Sequence, residues 1–131
     1  MPATLLAFLV VGAGGAVGAM ARFGLTMATL RFSAAIPLGT LISNLVGCLI
    51  MGGLIEFIGR TAAGGDLITD HQRLLFGIGF CGAFTTLSAL VLEVSTMVQR
   101  QDTVMAFGYL LATIVGGFVF FLAGTTLVRA V

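Results

Sequence analysis

Apolar residues run along this chain in four long blocks, at about Leu5–Thr29, Ile36–Ile58, Arg73–Val98 and Val104–Val128. Each is close to the ~20 residues that a helix needs to cross the hydrocarbon core of a bilayer. Between the blocks lie Leu30–Ala35, the polar stretch Gly59–Gln72 and the short turn Gln99–Thr103. Within the second of these, Gly59-Arg60-Thr61-Ala62-Ala63-Gly64-Gly65-Asp66 reads as a flexible surface loop. The pattern predicts an all-α membrane protein, with residues 1–131 forming one four-helix transmembrane domain. The first block lacks a basic leader and runs past signal-peptide length, so a spanning helix is expected there rather than a cleaved signal.

The third block departs from the rule that a spanning segment is one unbroken helix. Gly77-Ile78-Gly79-Phe80-Cys81-Gly82-Ala83-Phe84-Thr85-Thr86-Leu87-Ser88 sets three glycines ahead of two threonines and a serine. At membrane depth, non-helical backbone is tolerated only where protein buries it or where it lines a wet cavity. The stretch is therefore either a close helix contact or a broken helix whose freed carbonyls hold something, and the second is expected.

Polar residues inside the other blocks fall into stripes. In the first, Gly14 and Gly18 form GxxxG, a spacing that admits a second helix at close range. Arg22 follows them, and a charge within a span faces a cavity, a partner or the interface. It either snorkels to the headgroups or draws anions to a vestibule. In the second block, Gly39, Thr40, Ser43, Asn44, Gly47, Cys48 and Met51 share a face at helical spacing. An amide at the depth of Asn44 must find partners, either as a hydrogen bond between helices or as an N–H aimed at a permeating anion. In the third block, Thr86, Leu90 and Glu93 share a face beside Leu87. Glu93 lies deeper than Glu56, and an embedded carboxylate marks a functional site or an ion pair with an arginine. In the fourth, Tyr109, Thr113 and Gly116/Gly117 line up on an otherwise aliphatic wall.

Composition narrows the solvent and the chemistry. Hydrophobic residues make up 59% and charged residues 8%, against roughly 25% charged in a soluble domain. A net charge of +1 argues against nucleic acid as a partner. Cys48 and Cys81 stand in no metal-binding or disulfide-like spacing, and His71 stands alone in a loop. No nucleophile–base arrangement and no acid pair is present, so an enzyme is not expected. All six basic residues are arginines. With four spans, one side would carry Arg60, Arg73 and Arg129, and the other Arg31 and Arg100 with Arg22 close by. Basic residues normally set orientation. So flat a balance means either that something else fixes the topology, or that the chain inserts both ways and assembles as an antiparallel dimer. Four short helices cannot both enclose a path and pack among themselves, so an oligomer is implied. Hydroxyl and amide donors on weakly charged walls suit a small anion that exchanges its water for hydrogen bonds.

Three ordered motifs then resemble one family, the small bacterial fluoride channels known as Fluc or CrcB. Gly14-Gly15-Ala16-Val17-Gly18-Ala19-Met20-Ala21-Arg22-Phe23 is similar to its first-helix GGxxGAxxR pattern. Pro37-Leu38-Gly39-Thr40-Leu41-Ile42-Ser43-Asn44-Leu45-Val46-Gly47 resembles its GTLxxNxxG, and Gly79-Phe80-Cys81-Gly82-Ala83-Phe84-Thr85-Thr86-Leu87-Ser88 its GFxGGxTTFS. The resemblance implies an antiparallel, dual-topology homodimer with two pores, exporting fluoride from the cytoplasm across the bacterial inner membrane. It implies a structural Na⁺ at the dimer centre, held by the backbone carbonyls of Gly82 and Thr85 in a broken third helix. It also implies an anion pathway of Asn44, Ser88, Glu93, Tyr109 and Thr113, with Arg22 at the vestibule.

The chain departs from the family in its third and fourth helices. The family reads TTFSTF, with two phenylalanines whose electropositive ring edges face fluoride; here the run is Thr85-Thr86-Leu87-Ser88-Ala89-Leu90. Leu87 and Leu90 cannot take over that role. Gly117 stands where the next fourth-helix hydroxyl is expected after Thr113. Three explanations compete: altered conduction, a heterodimer whose partner supplies the rings, or a pathway that needs the rings less than it needs Asn44, Ser88 and Thr113. A small proton-coupled multidrug exporter is the rival of another class. That family relies on an embedded first-helix Glu, and here the first helix carries Arg22 and no acid.

Overall fold

Long apolar runs leave the backbone one way to satisfy its polar groups without water, which is to bond within each segment as a helix. The computed structural model describes residues 2–64 and 69–131, and every regular element among them is helical. Four stretches are long and apolar enough to cross a membrane: Ala3–Phe32, Leu38–Thr61, Asp70–Gln99 and Thr103–Ala130.

Helix α1 spans Ala3–Thr29 and ends in the 3₁₀ turn Leu30–Phe32. The carbonyls of its last turns are answered by nearby hydroxyls: Thr26 donates to the carbonyl of Arg22 at 3.0 Å, Thr29 to Leu25 at 2.9 Å and Ser33 to Thr29 at 2.9 Å. Helix α2, Leu38–Gly64, runs past Ile58 into the stretch expected to be loop. Its end is tied to the end of the last helix. Arg60 donates to the carbonyl of Val128, and Glu56 pairs with Arg129 at 3.0 Å. The remainder of the expected loop, residues 65–68 with Asp66, lies outside the described residues.

The third span begins at Asp70, ahead of the expected Arg73, because Thr69 and Gln72 form a capping box. The Gln72 N–H donates to the Thr69 hydroxyl at 3.4 Å, and the Thr69 N–H donates to Gln72 Oε1 at 2.9 Å. Helix α3, residues 70–84, is α-helical over Asp70–Arg73, π-helical over Leu74–Cys81 and α-helical again over Gly82–Phe84. The wide turn is seen directly where Gly82 N–H donates to the carbonyl of Gly77, five residues back. Helix α4 is Leu87–Gln99. Gln101, at φ 63°, turns the chain into α5, Thr103–Arg129.

Helix association in lipid has no apolar driving force, so contacts form where small residues let backbones meet. The two tightest are α1 on the π-helical part of α3, and α2 on α5. At the first, a Cβ on Gly14 would sit 2.2 Å from the Leu75 carbonyl oxygen, and one on Gly18 2.3 Å from that of Phe80. At the second, a Cβ on Gly52 would sit 2.1 Å from the Phe121 carbonyl oxygen, and one on Gly124 2.1 Å from that of Leu49. The core these contacts enclose is small: Cys81, Phe84, Leu90, Ala106 and Tyr109, with Thr40, Ser43, Asn44 and Thr113 among its polar members.

Candidate functional site

Helical geometry stops at Phe84 and resumes at Leu87. Thr85 (φ −84°, ψ 156°) and Thr86 (φ −153°, ψ 123°) are extended, so the helix end leaves backbone groups without partners. Asn44 on α2 answers two of them. The Thr86 N–H donates to Asn44 Oδ1 at 2.7 Å, and Asn44 Nδ2 donates to the Thr86 carbonyl at 3.1 Å. The side-chain amide thus pairs with the backbone of Thr86 as a neighbouring strand would. On the other side of the break, Arg22 Nε donates to the carbonyl of Ala83 at 3.2 Å. Thr86 also caps α4, its hydroxyl accepting the Ala89 N–H at 3.2 Å. Thr85 donates its hydroxyl to the Cys81 carbonyl at 2.9 Å. Its methyl group packs where a Cβ on residue 47 would lie 2.2 Å away, which is why glycine stands at Gly47.

Carbonyls at the break are left open by this arrangement, those of Gly82 and Thr85 among them. In a continuous helix the Gly82 carbonyl would receive the Thr86 N–H and the Thr85 carbonyl that of Ala89. Both of those donors point elsewhere, to Asn44 and to the Thr86 hydroxyl.

One turn further along α4, Glu93 is gripped by two hydroxyls. Thr40 donates to Oε1 at 2.6 Å and Tyr109 to Oε2 at 2.6 Å, short distances that suit charge-assisted bonds. Tyr109 is 2% exposed and Ser43 is fully buried, its hydroxyl donating to the Thr40 carbonyl at 3.0 Å. The Thr113 hydroxyl donates to the Tyr109 carbonyl at 2.8 Å. One carboxylate therefore ties α2, α4 and α5 together. Among the described residues Glu93 forms no ion pair with an arginine.

Between these three helices opens a cleft of about 500 Å³, and Asn44, Cys48, Thr85, Thr86, Leu87, Leu90 and Thr113 line it together with Ile114, Gly117, Phe118 and Phe121. Leu87 is 71% exposed at its edge and Leu90 is buried at 2%, so the two leucines line the cleft at different depths. Ser88 sits beside the cleft, its hydroxyl 3.2 Å from that of Thr86. Hydrogen-bond capacity can be counted. The hydroxyls of Thr40, Thr85, Tyr109 and Thr113 all donate within the protein. Among the described side chains, what remains is the second N–H of Asn44 and one O–H from the Thr86–Ser88 pair.

The break thus brings together Arg22, Asn44, Gly82, Thr85 and Ser88, while Glu93, Tyr109 and Thr113 form the adjoining cluster. Gly14 and Gly18 lie apart, on the α1 contact. Sequence reasoning passed over Thr40 as a site residue, although it stands one turn from Asn44 on the same face. It also passed over Phe118 and Phe121, for which no motif spoke.

These features define a class: a small helical membrane protein with an internal polar site built around a non-helical joint. The family model for CrcB-like protein, Camphor Resistance (CrcB), matches residues 9–125, and the chain belongs to that family. Among curated relatives, the "Fluoride-specific ion channel FluC" of Francisella tularensis is 37% identical over 126 residues, 96% of this chain and 97% of its own. Its namesake in Francisella philomiragia is 39% identical over 110 residues, 84% of this chain and 85% of its own. That of Prosthecochloris aestuarii is 37% identical over 123 residues, 94% and 93%. The relatives carry the name of an ion channel and not of an enzyme, and four spanning-length helices make this chain a multi-pass membrane protein.

Proposed function

We propose that this chain is a passive fluoride channel of the bacterial inner membrane, relieving the cytoplasm of fluoride as an antiparallel, dual-topology homodimer with two pores. One observation carries the reading: relatives named as fluoride-specific channels match it from end to end, at 37% identity over 96% of its length. The cleft supports it. A small anion entering must exchange water for protein donors, and the free N–H of Asn44 and the free O–H of the Thr86–Ser88 pair are the donors at hand. Thr40 and Tyr109 absorb the charge of Glu93, which lets a carboxylate stand beside an anion's route. Arg22, anchored on the Ala83 carbonyl, supplies positive charge at the approach.

A structural Na⁺ fits the same joint. A hard cation takes oxygen ligands, and the Gly82 and Thr85 carbonyls have lost their helical donors. Two copies meeting there would offer four such oxygens. The ion would fix the halves of the third span and compensate carbonyl dipoles facing one another at mid-membrane.

Expression in a bacterium stripped of its own fluoride exporter tests the function. Growth in fluoride medium should return, and persistent sensitivity with the protein present in the membrane would count against a homodimeric channel. The departure at Leu87 and Leu90 favours one second reading, a half-channel that works with a similar subunit. Rescue only on co-expression with such a subunit would select it.

A further inference from the structure

Resting on the channel reading above, we infer that Phe118 and Phe121 of α5 are specificity-determining residues of the pathway, their ring edges facing the anion in the cleft. Among the described residues the cleft lining holds no charged side chain, and the free side-chain N–H and O–H groups there, from Asn44 and Thr86–Ser88, are two. A desolvated anion needs more positive potential than that. Aliphatic Leu87, Leu90 and Ile114 have none to offer, and the Cys48 thiol is a weak donor. A phenyl ring does: its quadrupole places the positive part at the edge. Among the described residues, the aromatic ones lining the cleft are Phe118 and Phe121.

Both rings spring from backbone held in place. Next to Phe118, Gly117 lies against Cys48 of α2, with a Cβ there only 3.3 Å from the thiol sulfur. The Phe121 backbone presses on Gly52 so closely that a Cβ on Gly52 would lie 2.1 Å from the Phe121 carbonyl oxygen. The α2–α5 contact thus fixes where the two side chains start. Phe118 is 71% exposed at the cleft edge while Phe121 is partly covered, so one ring stands at the mouth and the other further in. Three residues apart on one helix, they face α4 across the same space that Leu87 and Leu90 line.

The test is initial fluoride efflux, with chloride efflux alongside, from liposomes reconstituted with the full chain. Phe118→Leu with Phe121→Leu should lower fluoride efflux by about tenfold or more. Because the leucines also change packing, a second variant carries pentafluorophenylalanine at both positions, which keeps the ring but reverses its edge polarity. It should lose fluoride efflux as the leucine pair does, while Phe118→Tyr with Phe121→Tyr keeps it. Fluoride efflux that survives the leucine pair or the fluorinated rings, in a chain whose unaltered form conducts, overturns this assignment and leaves the channel reading standing. An unaltered chain that passes no fluoride overturns both.

Discussion

Replacing Asn44 removes the side chain that bonds both the N–H and the carbonyl of Thr86 at the joint of the third span. Asn44→Leu keeps the branch point and the number of heavy atoms in the side chain and removes two hydrogen bonds, those at 2.7 Å and 3.1 Å to the Thr86 backbone. Side-chain hydrogen bonds between membrane helices average about 0.6 kcal/mol and reach about 1.7 kcal/mol. Taken as a pair, these two bonds would then contribute about 1–3 kcal/mol. The cost rises because Thr86 is extended and cannot re-form helical bonds, leaving an N–H and a carbonyl orphaned at about 1–3 kcal/mol each when fully buried. Thr86 is only half-buried, so a total of about 2–4 kcal/mol is expected from these two terms. That corresponds to a melting temperature lower by roughly 10 °C in detergent. The assay is thermal unfolding of the purified protein followed by intrinsic fluorescence or by loss of the folded peak in gel filtration. Asn44→Ala adds a cavity and should be worse still. A melting temperature for Asn44→Leu within a degree or two of the parent would refute the claim that this amide secures the joint.

Gly52→Val and Gly124→Val place a side chain on backbone at 2.1 Å, and each should cost about 3 kcal/mol or more, read as loss of folded protein in gel filtration. Gly12→Ala meets nothing within 4 Å and should leave the elution profile unchanged. Tyr109→Phe removes one of the two hydroxyls on Glu93; at about 1.5–3 kcal/mol for a charge-assisted bond, fluoride efflux should fall about tenfold while Thr40 still holds the other oxygen. Unchanged efflux would detach the Glu93 cluster from conduction. Exchanging sodium for a bulky organic cation should weaken the dimer, measured as faster subunit exchange between differently labelled preparations; equal rates in both buffers would remove Na⁺ from the Gly82–Thr85 joint.

The four spans are legible in the sequence because bilayer thickness translates directly into run length. The ends of the spans are less so. Arg60 looks like a loop charge until its acceptor is known, and that acceptor, the carbonyl of Val128, lies 68 residues away. The early start of α3 was written in Thr69 and Gln72, whose spacing is a capping box, but the polar run around them outweighed it. At the site, the residue types were readable and their partners were not. Nothing near Asn44 announces that its amide meets the backbone of Thr86, 42 positions on. The stripe Thr40–Ser43–Asn44 could be drawn from helical period alone, yet which hydroxyl takes Glu93 depends on how α4 leans across α2 and α5. Phe118 and Phe121 illustrate the same gap, since one aliphatic–aromatic wall looks like any other until a neighbouring helix decides which side faces the cleft.

The central claim is that this chain by itself forms a fluoride-selective path. It is tested most directly by reconstituting the purified chain alone into liposomes loaded with equal fluoride and chloride and recording both ions with selective electrodes after a potassium gradient is released. The account predicts rapid loss of fluoride with chloride retained. Fluoride retained by liposomes that contain intact dimers, or fluoride and chloride lost at equal rates, would contradict it.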